Sequence, residues 1–355
     1  MTTSTPAGPA PVNLRNPAQL LAALPYLIGF RPEKSVVVLG HRAPEGQRLG
    51  LVLRGDLPRR EDRARQARAL APRFARGFHT GVTLVVVGGR RRSGGPPPHA
   101  GFVEELADAL GEFGLPVLHA MWTSGITTGA PWACDADAEC GGELPDPRAT
   151  VTAAVATEGG MVVFDSRDEL AALLAPRSPE ALARRAEQLA RRSAPPWPDA
   201  TCVAEAASVI RAAFDRQRRG AEPPTDDEAV LLASALTIPE IRDGCLAMAV
   251  PSRTPAAREA ERLWLTLVRE LPAPERADPA ALLAYTAFMR GDGTFAGMAL
   301  ENALDAAPGH VLAGLLTTVL DLGLPPEKLL GLALAADPEG VSGFGLVPFD
   351  VGAEQ

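Results

Sequence analysis

A glycine- and arginine-rich segment is the strongest candidate in this sequence for a ligand site. It follows an apolar run and reads VVVGGRRRSGG, with the candidate residues Gly88, Gly89, Arg90, Arg91 and Arg92. Glycine amides and guanidinium groups bind anions, and ligands of open parallel sheets lie beyond the carboxyl ends of the strands. The next helix begins only after SGGPPPHAG, so its N-terminal dipole is not presented directly. A small anionic ligand is one interpretation, and a solvated loop explains the composition equally well.

His119 and Trp122 lie on the next predicted strand and are added to this candidate ligand site. Trp122 belongs to a group of aromatic residues that could line a pocket where the first helix meets the sheet, together with Trp132, Phe30 and Tyr26. Buried aromatic side chains more often belong to the core than to a binding site. Core packing is therefore the alternative for Trp122.

An acidic loop between two cysteines is the candidate metal site. The segment WACDADAEC carries the candidate ligands Cys134, Asp135, Asp137 and Cys140. The spacing C-x5-C differs from the C-x2-C spacing of zinc knuckles, and the sequence offers no second pair. A metal site, a disulfide and an ordered surface loop are the alternatives, and the spacing favours the loop.

Several families of enzymes are excluded by missing motifs. Lys34 and Lys328 are the only lysines, and neither ends a glycine-rich phosphate loop, which also argues against pyridoxal chemistry. The sequence has no G-x-S-x-G, no H-E-x-x-H and no dinucleotide-binding glycine fingerprint. We therefore expect no bound cofactor.

The charge distribution is uneven along the chain. Residues 1–100 hold 16 Lys and Arg against 5 Asp and Glu, a balance of +11, whereas residues 101–355 hold 19 against 38, a balance of −19. The basic half could bind nucleic acid, but neutralisation by the acidic half is the favoured interpretation, so nucleic acid is disfavoured as a partner. No segment has the roughly 20 apolar residues of a membrane helix, and four scattered cysteines agree with a reducing compartment, so we expect a cytoplasmic protein.

The first half of the chain predicts an α/β domain. Short β-branched runs at 36–39, 49–55, 82–88 and 116–122 are typical of buried strands, and helical spacing is found at 59–77 and 100–114. Alternating strands and helices predict a largely parallel sheet in a three-layer architecture, with the first two strands as a hairpin at one edge. A short strand at 161–164 and a helix capped by Asp165 or Ser166 are predicted to follow.

The second half predicts an all-α helical domain. Alanine- and leucine-rich segments are separated by prolines, and they predict helices at 178–192, 199–219, 225–237, 239–249, 255–270, 280–290, 294–306, 310–322 and 326–336. The proline-rich segment 194–199 is the best candidate for a linker between the two halves. The predicted organisation is therefore a disordered leader at 1–16, an α/β domain at 17–193, an all-α domain at 199–337 and a tail at 338–355.

Part of the helical half resembles one tetratricopeptide unit. The segment ALLAYTAFMRGDGTFAGMALENALDAAPGH has small residues at the expected helix crossings, Gly-Asp at the turn and Pro308 after the second helix. Repeat proteins need about three such units, so a helical bundle with a repeat-like end is the favoured interpretation. A tetratricopeptide-like groove would bind a peptide or a partner helix.

The whole sequence resembles an actinobacterial family known as domain of unknown function 4192. The resemblance is carried by LLAALPYLIGFRPEKSVVVL, LGLVLRGDLP, the third strand, the cysteine loop and the segment from ERLWLTLVRELP to RGDG. This chain has Gly141 after Cys140 where the family usually has adjacent cysteines, which weakens the metal interpretation. The family implies no activity and no catalytic residues.

Two hypotheses about function follow from these observations. The first is a non-enzymatic adaptor or regulatory protein that binds a protein partner through the helical domain, or a small ligand. The alternative is a small-molecule or nucleotide-handling enzyme with a site at the carboxyl edge of the sheet, formed by Arg90 to Arg92, His119 and Asp135 or Asp137. These groups would have to lie close enough to reach one substrate.

Overall fold

The structure is a computed structural model that describes residues 2–4, 14, 16–42, 48–76, 79–92, 95–135, 137, 139–158, 161–191, 201–220 and 222–332. The chain forms two compact units. The sheet unit comprises residues 1–170, 291–294 and 319–325, and the helical unit comprises residues 171–290, 295–318 and 326–355. The fold is therefore mixed α/β.

The sheet unit is built on one sheet of seven described strands. They are β1 (Thr2–Ser4), β2 (Ser35–Arg42), β3 (Arg48–Asp56), β4 (His79–Val87), β5 (Val117–Thr123), β6 (Pro131–Cys134) and β7 (Gly141–Glu143). Their order in the sheet is β1-β3-β2-β4-β5-β6-β7. The four predicted strands of the first half are thus confirmed as β2 to β5.

The prediction of a largely parallel sheet holds for one pair of neighbours among the described strands. β4 and β5 are parallel, while the other five neighbouring pairs are antiparallel. β2 is antiparallel to both β3 and β4, so β3 and β4 run in the same direction with β2 inserted between them. The helix between β3 and β4 therefore connects two strands that run in the same direction, as the pattern predicted. These two strands are not neighbours in the sheet, because β2 lies between them.

Helices cover both faces of the sheet, which confirms three layers in this unit. The helices of the first half are α1 (Pro17–Ile28), α2 (Arg63–Ala75), α3 (Ala100–Gly111), α4 (Val151–Glu158) and α5 (Arg167–Ala172). Val36 and Val38 pack with α2 and α3 in one core cluster. Val37 and Leu39 point to the opposite face by strand alternation and are equally buried, and α1 contacts β3 and α4.

The helix ends follow the local chemistry of the sequence. Asn16 caps α1 by accepting a hydrogen bond from the Gln19 N–H at 3.1 Å. Ser166 accepts the N–H of Glu169 at 3.0 Å, which selects Ser166 between the two caps predicted for α5. Gly114 follows α3 with φ at 70°, the left-handed conformation that glycine adopts at helix ends.

Three details of the first half differ from the predictions. No strand forms at 161–164, because only Phe164 pairs, in an isolated bridge with Phe30. No strand was predicted between Trp122 and residue 161, yet β6 and β7 form there without a β-branched signature. Within the leader expected to be disordered, Thr2–Ser4 form β1 by pairing with the edge of β3.

Seven of the nine predicted helices of the second half are confirmed with small shifts at their ends, while 239–249 is α-helical only over Pro239–Gly244 and the described part of 326–336 begins as a 3-10 turn. The described α-helices of this half are α6 (Pro179–Arg191), α7 (Thr201–Arg218), α8 (Asp226–Leu236), α9 (Pro239–Gly244), α10 (Pro255–Glu270), α11 (Ala277–Met289), α12 (Gly293–Ala306) and α13 (Val311–Asp321). Short 3-10 turns occur at Cys245–Ala249 and Pro326–Leu329. The linker predicted at 194–199 and the tail at 338–355 lie outside the described residues, and the tetratricopeptide-like unit stays a prediction.

None of the helices in the described ranges combines the length and the apolar character that crossing a membrane requires.

Candidate functional site

The structure explains the two glycines of the predicted ligand loop by backbone geometry. Gly88 and Gly89 have φ values of 111° and 81°, which other residues rarely adopt. The Gly88 N–H donates to the Thr123 carbonyl at 2.8 Å, so this amide is not available to an anion. A Cβ on Gly89 would lie 2.9 Å from the Pro98 side chain. Both glycines therefore allow the chain to leave β4 in a tight turn.

Trp122 is a core residue that holds this turn. Its side chain lies on β5 in the same core cluster as α2 and α3. Its indole Nε1 donates to the Gly88 carbonyl at 2.7 Å. Because both backbone polar groups of Gly88 are engaged from β5, the geometry favours the core interpretation of Trp122.

The three arginines after the glycines differ in their exposure to solvent. Arg90 and Arg92 are exposed. Arg91 is partly buried, and its Nε donates to the Gly95 carbonyl at 2.9 Å. The Gly95 N–H donates in turn to the Arg92 carbonyl at 3.0 Å. Arg91 therefore stabilises its own loop.

His119 lies away from the glycine loop. In the parallel pairing of β4 and β5, His119 is opposite Thr83, whereas the last pair is Val87 with Thr123. Four residues along a strand span about 13 Å. The structure thus brings Gly88, Gly89 and Trp122 together and leaves His119 near the other end of β5. The common site that the enzyme hypothesis required is not supported by this register.

The cysteine loop is closed by a disulfide between Cys134 and Cys140, whose Cα atoms are 5.4 Å apart. The Cys134 N–H also donates to the Cys140 carbonyl at 2.8 Å, so the loop closes the β6–β7 hairpin. Asp135 and Asp137 are exposed, and Asp137 Oδ1 accepts the Glu139 N–H at 2.9 Å. Metals bind thiolates, which a disulfide lacks. No group of three His, Cys, Asp or Glu in the described part of the chain is arranged to hold a metal, so the predicted metal site finds no support.

A cavity in the helical unit is the site that the sequence did not predict. Its volume is about 330 Å³, and its walls come mainly from α7, α8 and α10. The apolar part of the wall consists of Val209, Ala212, Ala213, Pro223, Pro224, Leu231, Leu232 and Leu263. Cavities of about 300–1,000 Å³ with mainly apolar walls are typical ligand sites.

Helical periodicity explains how each helix contributes to this wall. On α7 the residues that line the cavity recur at spacings of three and four: Val209, Ala212, Ala213, Arg216 and Gln217. α8 contributes Leu231 and Leu232 one turn after Glu228, and α10 contributes Leu263 and Thr266. Residues at such spacings share one helix face. Small alanine side chains on α7 leave space where α8 and α10 also pack against this helix.

The polar end of the cavity is ordered by the start of α8. Thr225 and Glu228 form a capping box, in which the Thr225 hydroxyl accepts the Glu228 N–H and Glu228 Oε2 accepts the Thr225 N–H at 2.8 Å. Arg216 forms a salt bridge with Glu228 and donates to the Glu222 carbonyl at 2.8 Å. Burial acts to raise the pKa of Glu228, but the Thr225 and Arg216 hydrogen bonds outweigh it, and the pKa lies below its ordinary value. Glu228 is therefore ionised at neutral pH.

A network of ion pairs lies behind this wall. Arg185 is almost completely buried and donates to Asp226 Oδ1 at 2.8 Å, to the Glu270 carboxylate at 2.5 Å and to the Glu270 carbonyl at 2.6 Å. Arg184 donates to the other oxygen of Asp226 at 2.7 Å. The pKa of Asp226 is lowered, first by the hydrogen bond from Arg184. Asp226 therefore needs no catalytic role.

Arg177 connects this network to the cavity. It lines the cavity, its side chain is 45% exposed, and its Nε lies 3.8 Å from Glu270 Oε1. This distance is too long for a hydrogen bond. This arrangement could not be predicted from the sequence, because residue 177 precedes α6 while its neighbours lie on α7, α8 and α10.

The comparisons with known proteins identify one family. Neither the curated proteins nor the solved structures include a match to this chain. The family model described as "Domain of unknown function (DUF4192)" matches residues 17–327, which is most of the chain and includes both compact units. The chain therefore belongs to the family of proteins that contain this domain of unknown function.

Proposed function

We propose that this protein is a non-catalytic regulatory protein of the cytoplasm that binds a small amphipathic molecule between α7, α8 and α10. The observation that carries the proposal is the cavity of about 330 Å³, with eight apolar residues and four charged residues on its wall. Apolar walls favour the transfer of an apolar group from water, and a few polar groups fix its orientation. A partner protein for the helical unit stays a prediction.

The state of the reactive side chains supports binding without catalysis. Cys245 is buried, and burial raises its pKa to about 12, so the thiol is protonated at neutral pH. Both ring nitrogens of His310 have partners: Nδ1 accepts the Ala313 N–H at 3.1 Å, and Nε2 lies 3.0 Å from Asp278 Oδ1. The Thr266 hydroxyl on the cavity wall donates to the Arg262 carbonyl at 2.9 Å. These groups therefore have structural partners or are protonated.

Binding of an uncharged fluorescent probe tests this proposal. N-phenyl-1-naphthylamine is weakly fluorescent in water and brightens in apolar sites, and we expect it to bind the protein saturably at one site. The substitution Ala213→Phe fills the cavity and should weaken binding at least tenfold, since Ala213 is on the wall. Ala204→Phe is the matched control, because Ala204 is exposed on the same helix and does not line the cavity. Equal binding by the two variants, or none by the wild type, would overturn the proposal.

A further inference from the structure

We propose that the natural ligand of the cavity is a small monocarboxylate, whose carboxylate is held by the guanidinium group of Arg177 and whose uncharged apolar body lies between α7, α8 and α10. This inference rests on the proposed function and adds the chemical class of the ligand. It is argued from the charges, the distances and the composition of the wall.

The charged side chains on the cavity wall are Arg177, Arg216, Glu222 and Glu228, two of each sign. Arg177, Arg184 and Arg185 share two carboxylates, those of Asp226 and Glu270. Arg216 is paired with Glu228. Glu222 and Arg177 are both exposed, so solvent weakens the attraction between their charges. Of the two arginines on the wall, Arg177 is the one whose contact with a carboxylate is long.

Arg177 is the arginine of this network that can turn to a ligand. Arg185 is almost completely buried, and its guanidinium nitrogens donate to Asp226, Glu270 and the Pro224 carbonyl. Arg184 is not part of the cavity wall. Arg177 is on the wall, and its contact with Glu270 is 3.8 Å long. A guanidinium group with unused N–H donors binds a carboxylate with two parallel hydrogen bonds.

Engaging a ligand leaves no buried charge without a partner. Glu270 Oε2 already accepts from Arg185 at 2.5 Å, so the Glu270 carboxylate stays paired when Arg177 turns toward the cavity. A buried charge that loses its only partner would cost several kcal/mol. The switch of Arg177 from Glu270 to a ligand avoids this cost.

The acids near Arg177 favour one negative charge on the ligand over two. Glu228 lines the same cavity, and Glu270 Oε1 faces the Arg177 guanidinium. A dianion such as a phosphate monoester would place its second charge near these two carboxylates, and like charges repel more strongly where the surroundings are apolar. A single carboxylate matches the single guanidinium group of Arg177. The apolar side chains of the wall then suit an aliphatic or aromatic body.

Three probes with the same eight-carbon body test the ligand class. Octanoate carries one negative charge, octanamide none and octyl phosphate close to two at pH 8. We expect the wild-type protein, measured by isothermal titration calorimetry, to bind octanoate at least tenfold more tightly than octanamide and more tightly than octyl phosphate. Arg177→Gln should weaken octanoate binding at least tenfold and change octanamide binding less than twofold.

A second variant distinguishes the loss of a guanidinium group at the cavity from the general loss of one positive charge. Arg262→Gln removes one positive charge from an exposed site on α10 that does not line the cavity, and it should change octanoate binding less than twofold. Equal binding of octanoate and octanamide, tighter binding of octyl phosphate, or an equal loss in both variants overturns the carboxylate assignment. Absence of octanoate binding while N-phenyl-1-naphthylamine still binds does the same and leaves the proposed function intact. If the neutral probe also fails to bind, the proposed function itself is wrong.

Discussion

At the scale of single residues, His79 shows how a side chain with catalytic chemistry serves the fold. Its Nδ1 donates to the Phe74 carbonyl at 2.9 Å, and its Nε2 accepts the Leu51 N–H at 3.1 Å. A Cβ on Gly40 or Gly50 would lie 2.3 Å or 2.5 Å from the His79 ring, so both glycines make room for it. The neutral imidazole of His79 thus connects β4 to β3 and to the end of α2.

This arrangement predicts a loss of stability in mild acid. Burial lowers the pKa of His79, and the nearby Arg42 and His41 lower it further, while the Phe74 bond opposes them. The unfolded chain then binds a proton near pH 6.5 that the folded chain resists, so the free energy of unfolding falls as the pH drops below about 6.5. His79→Gln should lower stability at pH 7 and flatten its decline between pH 7 and pH 5, measured by urea unfolding.

The exposed His119 provides the control for this pH dependence. His119→Gln should leave both the stability at pH 7 and its decline in acid unchanged, since the side chain is exposed on β5. An identical decline in the wild type and in His79→Gln would show that other groups cause the acid sensitivity.

At the scale of elements, one arginine joins three helices of the helical unit. Arg185 on α6 binds Asp226 at the start of α8 and both the carboxylate and the carbonyl of Glu270 at the end of α10. Alanine- and leucine-rich segments separated by prolines predicted these helices, but they did not indicate that α6 would place a charged residue in the interior. The reason is that Arg185 lies among the arginines of ALARRAEQLARR, where the sequence alone indicates an exposed polar face.

The buried position of Arg185 predicts a large difference between two adjacent arginines. Arg185→Met leaves the buried Glu270 carboxylate without its closest partner, and breaking such a pair costs about 3–5 kcal/mol. Arg184→Met removes an exposed side chain from the same Asp226 and should have little effect on the free energy of unfolding. Chemical unfolding of both variants, monitored by circular dichroism, measures the difference. Similar losses in the two would refute the structural role given to Arg185.

At the scale of the whole molecule, the sheet unit serves as an internal control for ligand binding to the helical unit. The cavity lies on α7, α8 and α10 of the helical unit, while β2 to β5 belong to the sheet unit. A ligand that binds only the folded state stabilises it by about 2.7 kcal/mol at 100 times its dissociation constant. We expect this stabilisation to be largest in the elements that the ligand contacts.

Hydrogen exchange with and without N-phenyl-1-naphthylamine checks this expectation. We expect the probe to slow amide exchange in the peptides of α7, α8 and α10 and to leave the peptides of β2 to β5 unchanged. The same comparison in Ala213→Phe should show no slowing anywhere, because the cavity is filled. Slower exchange confined to the sheet peptides would place the bound probe outside the cavity.

The local patterns of the sequence determined the elements of this protein. Short runs of β-branched residues predicted β2 to β5, and alanine- and leucine-rich segments bounded by prolines predicted α6 to α8 and α10 to α13 to within a few residues. These features depend on the geometry of neighbouring residues, which the sequence displays directly. The sequence also carried the motifs that identified the family.

The tertiary structure alone decided how these elements combine. The insertion of β2 between β3 and β4 makes most of the sheet antiparallel, although the crossover pattern suggested parallel neighbours. Arg73 of α2 pairs with Asp321 at 2.7 Å, which ties a late segment into the sheet unit across 248 positions. The cavity likewise depends on side chains of Arg177, α7, α8 and α10 that meet only in the folded chain. Such contacts are set by packing between distant segments, and no local pattern encodes which faces will meet.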